Sequence, residues 1–232
     1  MPRRRHTVTG LTHAPEFRRR LARWYRRAAR DLPWRRTTDA YEILVSESML
    51  QQTQVSRVLE FYPRFLSRFP TLEALAAAPP RRVMEAWSGL GYYARARNLH
   101  SLARHVVGGA TPSAPPPARA TLPAEPDELR RLPGIGPYTA GAVASFAWKK
   151  RAALVDTNVA RVLSRVFAPR LHPKRPRDLS RIWEIANAVL PRTGAATWTH
   201  NQALMELGAL VCTARVKRCG ECPVATICRS RD

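Results

Sequence analysis

Acidic residues are scarce in this chain. Seventeen Asp and Glu stand against 39 Lys and Arg, a formal net charge of +22. Lysine is scarce as well, occurring only at Lys149, Lys150, Lys174 and Lys217, so arginine carries most of the positive charge. A GC-rich genome would account for Arg over Lys but not for the excess of base over acid. That excess calls for a polyanion, most naturally nucleic acid. No apolar run approaches the ~18 residues that a membrane-spanning helix needs, which excludes a helical membrane protein. The basic start, MPRRRH, has no apolar stretch behind it, so no secretory signal is expected. The expected setting is the cytoplasm, at the nucleoid, with the protein acting as a monomer. Cysteine is absent before position 212, which excludes a disulfide framework spread through the chain. What is present is enough for a packed core. The 232 residues are 45% hydrophobic and 8% aromatic, room for one large domain or two small ones and too apolar for wholesale disorder.

The four cysteines, Cys212, Cys219, Cys222 and Cys228, follow the spacing C-x6-C-x2-C-x5-C. A tight cluster in a chain without a secretion signal suggests a metal group rather than disulfides. Four thiolates can hold a [4Fe–4S] cluster or a tetrahedral zinc. Zinc sites commonly use two C-x2-C pairs on separate knuckles, and this is one unbroken loop with uneven gaps, which favours iron–sulfur. Arg215, Lys217, Arg218 and Arg229 flank the loop. A basic loop pinned by a metal can grip phosphate, so a structural role beside DNA fits better than redox chemistry.

Apolar residues repeat with helical spacing nearly everywhere, and no strand pair is evident, so the expected fold class is all-α. The pattern predicts helices over 16–30, 41–52, 54–68, 72–78, 82–88, 92–107, 138–148, 158–167, 179–190 and 198–211. Gly109 to Pro126 holds six prolines and reads as an extended surface loop. Two helical lobes are expected, one over 39–150 and one combining 1–38 with 151–232.

The stretch LPGIGPYTA, Leu132 to Ala140, places Gly134 and Gly136 around one apolar residue just before a helix. Such a turn exposes backbone N–H groups beside a helix N-terminus, where a phosphate oxygen can bind without side chains. Pro137 suits the first helical turn. The full string resembles the helix-hairpin-helix of DNA repair glycosylases, over 131–141. Around it stand SESMLQQT (46–53), GLGYYARARNLH (89–100), VDTNVARV (155–162) and NQALMELGALVC (201–212). With the cysteine loop these resemble, in order and from about Trp24 to Cys228, the helix-hairpin-helix glycosylases of the adenine-specific mismatch type (MutY).

Two carboxylates carry the expected chemistry. Glu47 lies mid-helix with Ile43, Leu44, Leu50 and Gln51 at helical spacing, a largely apolar stripe that works toward the protonated acid. Periodicity alone leaves a surface Glu the commoner reading. The resemblance implies that Glu47 is the general acid that protonates a purine ring nitrogen and makes the base a leaving group. Asp156 precedes a helix, and by itself reads as an N-cap worth ~1 kcal/mol. The resemblance adds a second role, a negative charge that stabilises the oxocarbenium-like sugar. It implies further that Asn158 positions the sugar or the water. Relatives that also nick the strand carry a Lys where this chain has Tyr138, because a Schiff base needs an amine. A monofunctional glycosylase is therefore expected, with Tyr138 contacting the reacting nucleotide.

A base inside a duplex must be flipped out to be reached. The resemblance makes Gln52 and Tyr92 the residues that fill and wedge the opened stack, with Arg95, Arg97, Gly134, Gly136 and Thr139 on the DNA backbone. It assigns Trp34, Arg35 and Glu206 to the adenine pocket. Val55 and Gln202 follow the adenine pattern rather than that of the thymine-removing branch. Adenine opposite G or 8-oxoguanine is thus the implied substrate. Full-length adenine glycosylases also carry a C-terminal domain that reads 8-oxoguanine, and this chain stops four residues after Cys228. Two other readings stay open at this point: a thymine or uracil glycosylase acting at G mismatches, and a non-catalytic DNA-binding module on the same scaffold.

Overall fold

The structure is a computed structural model and describes residues 11–108 and 120–231. Most of the proline-rich segment, 109–119, lies outside the described residues. The chain is all-helical, and among the described residues it contains no strand, only an isolated bridge between Cys212 and Lys217. No helix among the described residues is long and apolar enough to cross a membrane. The chain divides into two compact units. One spans Asp31–Trp148. The other joins the N-terminal helix, through Arg30, to everything from Lys149 onward.

The Asp31–Trp148 unit holds α2 (Ala40–Leu50), α3 (Val55–Arg68), α4 (Leu72–Ala77), α5 (Pro80–Trp87), α6 (Ala94–Gly108), α7 (Pro126–Leu129) and α8 (Pro137–Trp148). Its central pair is α2 against α8. Both helices are buried on nearly every face: Tyr41 and Ile43 to Met49 in α2, Thr139 to Phe146 in α8. The small residues Ala140, Gly141, Ala142, Ala144 and Ser145 let α8 approach closely. A helix without a polar face is an interior helix, so the apolar stripe expected around Glu47 is in fact a whole apolar surround. Asp39 starts α2 by accepting from the Tyr41 and Glu42 N–H groups, at 2.8 and 3.1 Å. Phe65 and Trp87 meet edge to face at 5.7 Å and anchor the outer helices.

The second unit is built from α1 (Ala14–Ala28), α9 (Thr157–Phe167), α10 (Pro176–Val189) and α11 (Gly194–Leu210), with α11 packed on both α1 and α9. Phe17 and Phe167 stack edge to face at 5.0 Å in its core. Gly194 opens α11 where Lys149 passes: a Cβ there would stand 1.5 Å from the Lys149 carbonyl oxygen, so no other residue fits.

Ten predicted helices appear, with two informative differences. The segment expected to end at Gln52 stops at Leu50, because Gln52 turns left-handed at φ 57°. The expected extended loop ends in a short helix, Pro126–Leu129. Pro126 occupies its first turn, where the missing N–H costs nothing.

Candidate active site

Glu47 sits on the third turn of α2 and is 2% exposed. Its Oε2 accepts a hydrogen bond of 2.7 Å from the Tyr138 hydroxyl. Tyr138 stands in the first turn of α8, immediately after the hairpin turn, so the α2–α8 packing brings an acid and a phenol together across 91 residues of sequence.

The hairpin turn explains its first glycine. Gly134 has φ +76°, and a Cβ there would lie 2.6 Å from Asn98 Cβ on α6, so both backbone and neighbour demand glycine. Gly136 is different: among the described residues a Cβ would meet nothing within 4 Å beside the start of α8. A helix start offers N–H groups that have no acceptor within the helix. Thr139 is 4% exposed, and its side chain lines a small cavity under the turn with Leu44, Asn98 and Ile135. Its side chain therefore supports the turn from within.

Gln52 and Tyr92 share an unusual backbone. Both are non-glycine residues with positive φ, 57° and 48°, and both are exposed, Tyr92 by 59%. Side chains adopt this region at a cost of order 1 kcal/mol, and they cluster at functional sites when they do. One residue holds both tips. The Arg95 guanidinium donates to the carbonyls of Ser48, Met49 and Gln51 at 2.9, 2.7 and 2.6 Å, satisfying the end of α2. It also donates to Thr53 Oγ1 at 3.1 Å and to the Leu90 and Gly91 carbonyls at 3.3 and 3.1 Å. The sequence reading gives Arg95 to a phosphate; the structure gives its guanidinium to the chain, 9% exposed. Arg97, two residues on, is exposed.

In the second unit Asp156 caps α9. Its Oδ1 accepts from the Val159 N–H at 2.6 Å and its Oδ2 from the Asn158 amide at 3.1 Å. Burial pushes the Asp156 carboxyl above the ordinary aspartate value, while these two donors and the nearby Arg161 charge pull it back. The helix start thus offsets a desolvation cost rather than simply fixing a charge. Asn158 Oδ1 in turn accepts from Arg161 Nη2 at 2.7 Å. Arg161 also donates to the Gly208 carbonyl at 2.7 Å and to the Cys212 carbonyl at 2.8 Å. Asp156 is therefore connected, through Asn158 and Arg161, to the residue that opens the cysteine loop. Arg161 lies inside VDTNVARV yet carries no role in the sequence reading. Its place one turn after Asn158 is the only signal that could have marked it.

The four cysteines line one cavity, walled by Val162, Leu207, Val211 and Val224. None is disulfide-bonded. Arg165 Nη1 donates to Cys212 Sγ at 3.3 Å. Burial and the neighbouring cysteines push the Cys222 thiol up to about 11 and raise Cys228 as well. Arg165, Lys217, Arg218 and Arg231 also line the cavity, so four thiolates there would have cations around them, and a metal held directly by the sulfurs would offset their burial further. A thiolate-ligated metal group fits the soft donor set. Among the described residues, no three His, Cys, Asp or Glu side chains are gathered as ligands of a single metal ion.

The residues expected to line a base pocket are divided between the units. Trp34 lies in a short turn, Pro33–Arg35, buried edge to face against Tyr62 at 5.5 Å, with Arg35 half-buried beside it. Glu206 belongs to α11 and is 0% exposed. Its Oε1 accepts from the Arg30 backbone N–H and Nε at 3.0 and 2.8 Å, and its Oε2 from Arg30 Nη2 at 2.9 Å. This pair pins the end of the N-terminal segment to α11.

The model of the HhH-GPD superfamily base excision DNA repair protein matches residues 45–186. The adenine DNA glycosylase of Mycolicibacterium smegmatis is 46% identical over 214 residues, covering 91% of this chain and 68% of that protein. The adenine DNA glycosylase of Rattus norvegicus is 41% identical over 238 residues, covering 98% of this chain and 44% of that one. The chain thus spans less than half the length of the rat relative. Among solved structures, a thermostable thymine-DNA glycosylase superposes with a TM-score of 0.81 at 28% identity, covering 94% of this chain and 96% of its own. The chain belongs to the HhH-GPD superfamily of base excision DNA repair proteins, in its adenine DNA glycosylase branch.

Proposed function

We propose that this protein is a monofunctional DNA glycosylase that hydrolyses the N-glycosidic bond of adenine mispaired with G or 8-oxoguanine. The observation that carries the proposal is the buried Glu47 carboxyl with the Tyr138 hydroxyl 2.7 Å away. A carboxylic acid withdrawn from water can deliver a proton to a purine ring nitrogen. The residue beside it is a phenol, which forms no Schiff base with the sugar. Base release by hydrolysis, without strand scission, is the chemistry these two groups support.

Asp156 supplies the counter-charge for the sugar cation, and Asn158, bonded to it at 3.1 Å, orients the sugar or the attacking water. Trp34, Arg35 and Glu206 receive the adenine, the last held in place by Arg30. Gln52 and Tyr92 prop open the stack from their strained backbones. Gly134, Gly136 and the first N–H groups of α8, Thr139 included, bind the backbone phosphate, as does Arg97. Cys212, Cys219, Cys222 and Cys228 hold a [4Fe–4S] cluster. That cluster pins the basic loop at Arg215 and Lys217 against DNA and takes no part in bond breaking. The partner is mismatched duplex DNA at the nucleoid, met by a monomer.

The test is a panel of duplexes carrying A, T, U or hypoxanthine opposite G or 8-oxoguanine, scored for alkali-labile sites. Adenine release without spontaneous nicking is expected. Glu47→Gln should bind the same duplex and release base 10²–10⁴-fold more slowly, the usual contribution of general acid catalysis. Release of thymine or uracil instead would move the protein to the rival substrate class. Full-rate release by Glu47→Gln would remove Glu47 as the acid. Binding without any release by the unaltered protein would leave a DNA-binding module.

A further inference from the structure

Helix α1 carries more positive charge than its packing uses. Its buried stripe, Ala14, Phe17, Leu21 and Tyr25, anchors the helix in its unit. Arg18 caps the end of α10 through the carbonyls of Val189 and Leu190, at 3.4 and 3.5 Å. Arg20 pairs with Glu16 at 2.6 Å and donates to Thr226 at 2.7 Å. Arg19, Arg23 and Arg27 have no carboxylate partner among the described residues, and all three are exposed. They follow one another at four-residue intervals, an arrangement that costs a helix a few tenths of a kcal/mol per like-charged pair. No carboxylate among the described residues returns that cost.

These arginines line a groove of about 530 Å³, with the half-buried Trp24 among them. The other wall belongs to the cysteine loop and contributes Pro223 and one carboxylate, Glu221. We propose that this groove is a second nucleic-acid site, separate from the hairpin, that takes a single unpaired DNA strand. The proposal goes beyond the glycosylase reading and requires no base release.

Three features select this occupant. The axial run from Arg19 to Arg27 is about 12 Å at 1.5 Å per residue. That matches roughly three nucleotides of a strand rising ~3.4 Å each. An indole set among guanidinium groups is a stacking platform, and unpaired bases use such platforms whatever their sequence. Glu221 opposes phosphate but accepts from the exocyclic amino groups of cytosine and adenine. The strand therefore lies with phosphates along α1 and base edges toward the cysteine loop. An acidic peptide would satisfy the arginines but would leave the flat Trp24 face and Glu221 without a complement.

The test uses the full chain and a labelled twelve-nucleotide single-stranded oligodeoxycytidine, with binding measured across a salt series. Two variants are compared: Arg19→Ser, Arg23→Ser and Arg27→Ser combined, and Trp24→Leu alone. The triple variant should bind at least tenfold more weakly at low salt. Its slope of log affinity against log salt should be shallower by about 2, from ~0.7 per lost phosphate contact on a single strand. Trp24→Leu should weaken binding about tenfold and leave the slope unchanged, since stacking carries no counterion release. Helical circular dichroism and base release from a short blunt mismatched duplex should match the unaltered protein in both, which excludes misfolding. An unchanged slope and affinity in the triple variant would overturn the proposal. So would loss of polyglutamate binding with oligonucleotide binding intact, which would make the groove a protein-docking surface. Because the readout is single-strand binding, failure of the glycosylase reading would appear separately, as no base release from any form.

Discussion

Glu47 and Asp156 are the same functional group held in two different ways. Glu47 lies in the middle of a helix with no polar face, and a phenol reaches it from the neighbouring helix. Asp156 lies at a helix start, where an N–H, an amide and a nearby guanidinium all favour its charge while burial opposes it. Environment, not residue type, separates the two, and the proposed division between a proton donor and a counter-charge rests on that difference. The supports differ as well. The α2 side rests on packing and on the Arg95 clamp; the α9 side rests on a polar chain running through Arg161 to the cysteine loop.

The comparison breaks most visibly if both carboxylates are made amides. Glu47→Gln and Asp156→Asn should each lower single-turnover base release by 10²–10⁴-fold, and they should part company on stability. Asn caps a helix as well as Asp. The folded pKa of Asp156 is raised above its unfolded value. Its ionised form at neutral pH therefore weighs against folding; relief of that cost in Asp156→Asn works against loss of the Asn158 amide bond, which an NH2 group cannot accept, so Tm should hold. As pH falls through the folded pKa, the native carboxyl gains its proton and that relief should shrink. A Tm drop of several degrees in Asp156→Asn at pH 7 would show that the charge itself supports the fold.

Next in size is Arg95→Met. Removing a buried, multiply bonded guanidinium leaves the carbonyls of Ser48, Met49, Gln51, Leu90 and Gly91 without their donor. We expect a loss of about 3–5 kcal/mol, read by urea unfolding. Base release should fall in the surviving folded fraction, because Gln52 and Tyr92 lose their shared clamp. Arg95→Lys should not rescue it, since an ammonium cannot reproduce the planar fork. Unaltered stability with weaker DNA binding would return Arg95 to a phosphate contact. Smaller again is Tyr138→Phe, which removes one hydrogen bond to Glu47 and should slow base release about tenfold, a difference near 1.4 kcal/mol, without strand scission appearing.

Much of this was legible in the sequence, for identifiable reasons. Helix positions follow from apolar periodicity, and Asp156 as a cap follows from its place before VARV, because both signals are local. The burial of Glu47 was only partly legible: periodicity alone could not tell an interior helix from a striped one, and α2 is interior. The burial of Arg95 was not legible because a basic residue after GLGYY reads equally as a surface contact, and three of the carbonyls it serves, Ser48, Met49 and Gln51, lie more than 40 residues away. The Arg30–Glu206 pair spans 176 residues and leaves no local trace. Gln52 looked helical because nothing in QQT announces a left-handed residue. The break came from tertiary bonding to the end of α2, which outweighs propensity.

A third buried titratable side chain sharpens the contrast, because it has neither kind of support. His200, on α11, meets Phe17 edge to face at 6.0 Å, and neither ring nitrogen has a hydrogen-bond partner among the described residues. Burial, with a smaller contribution from the Arg18 charge, lowers its pKa to about 3. A histidine whose folded pKa lies below its unfolded value stabilises nothing by protonation. The unfolded chain takes up the proton first, so stability should fall as pH drops below about 6.5 and go on falling toward the folded pKa. Between pH 8 and 5 this amounts to about 2 kcal/mol. His200→Phe keeps the ring against Phe17 and removes the proton site. Its unfolding free energy should be similar to that of the unaltered protein at pH 8 and higher at pH 5, by urea titration at both. Parallel losses in the two proteins on acidification would mean that His200 has a partner in solution and that the acid sensitivity of the fold arises at other groups.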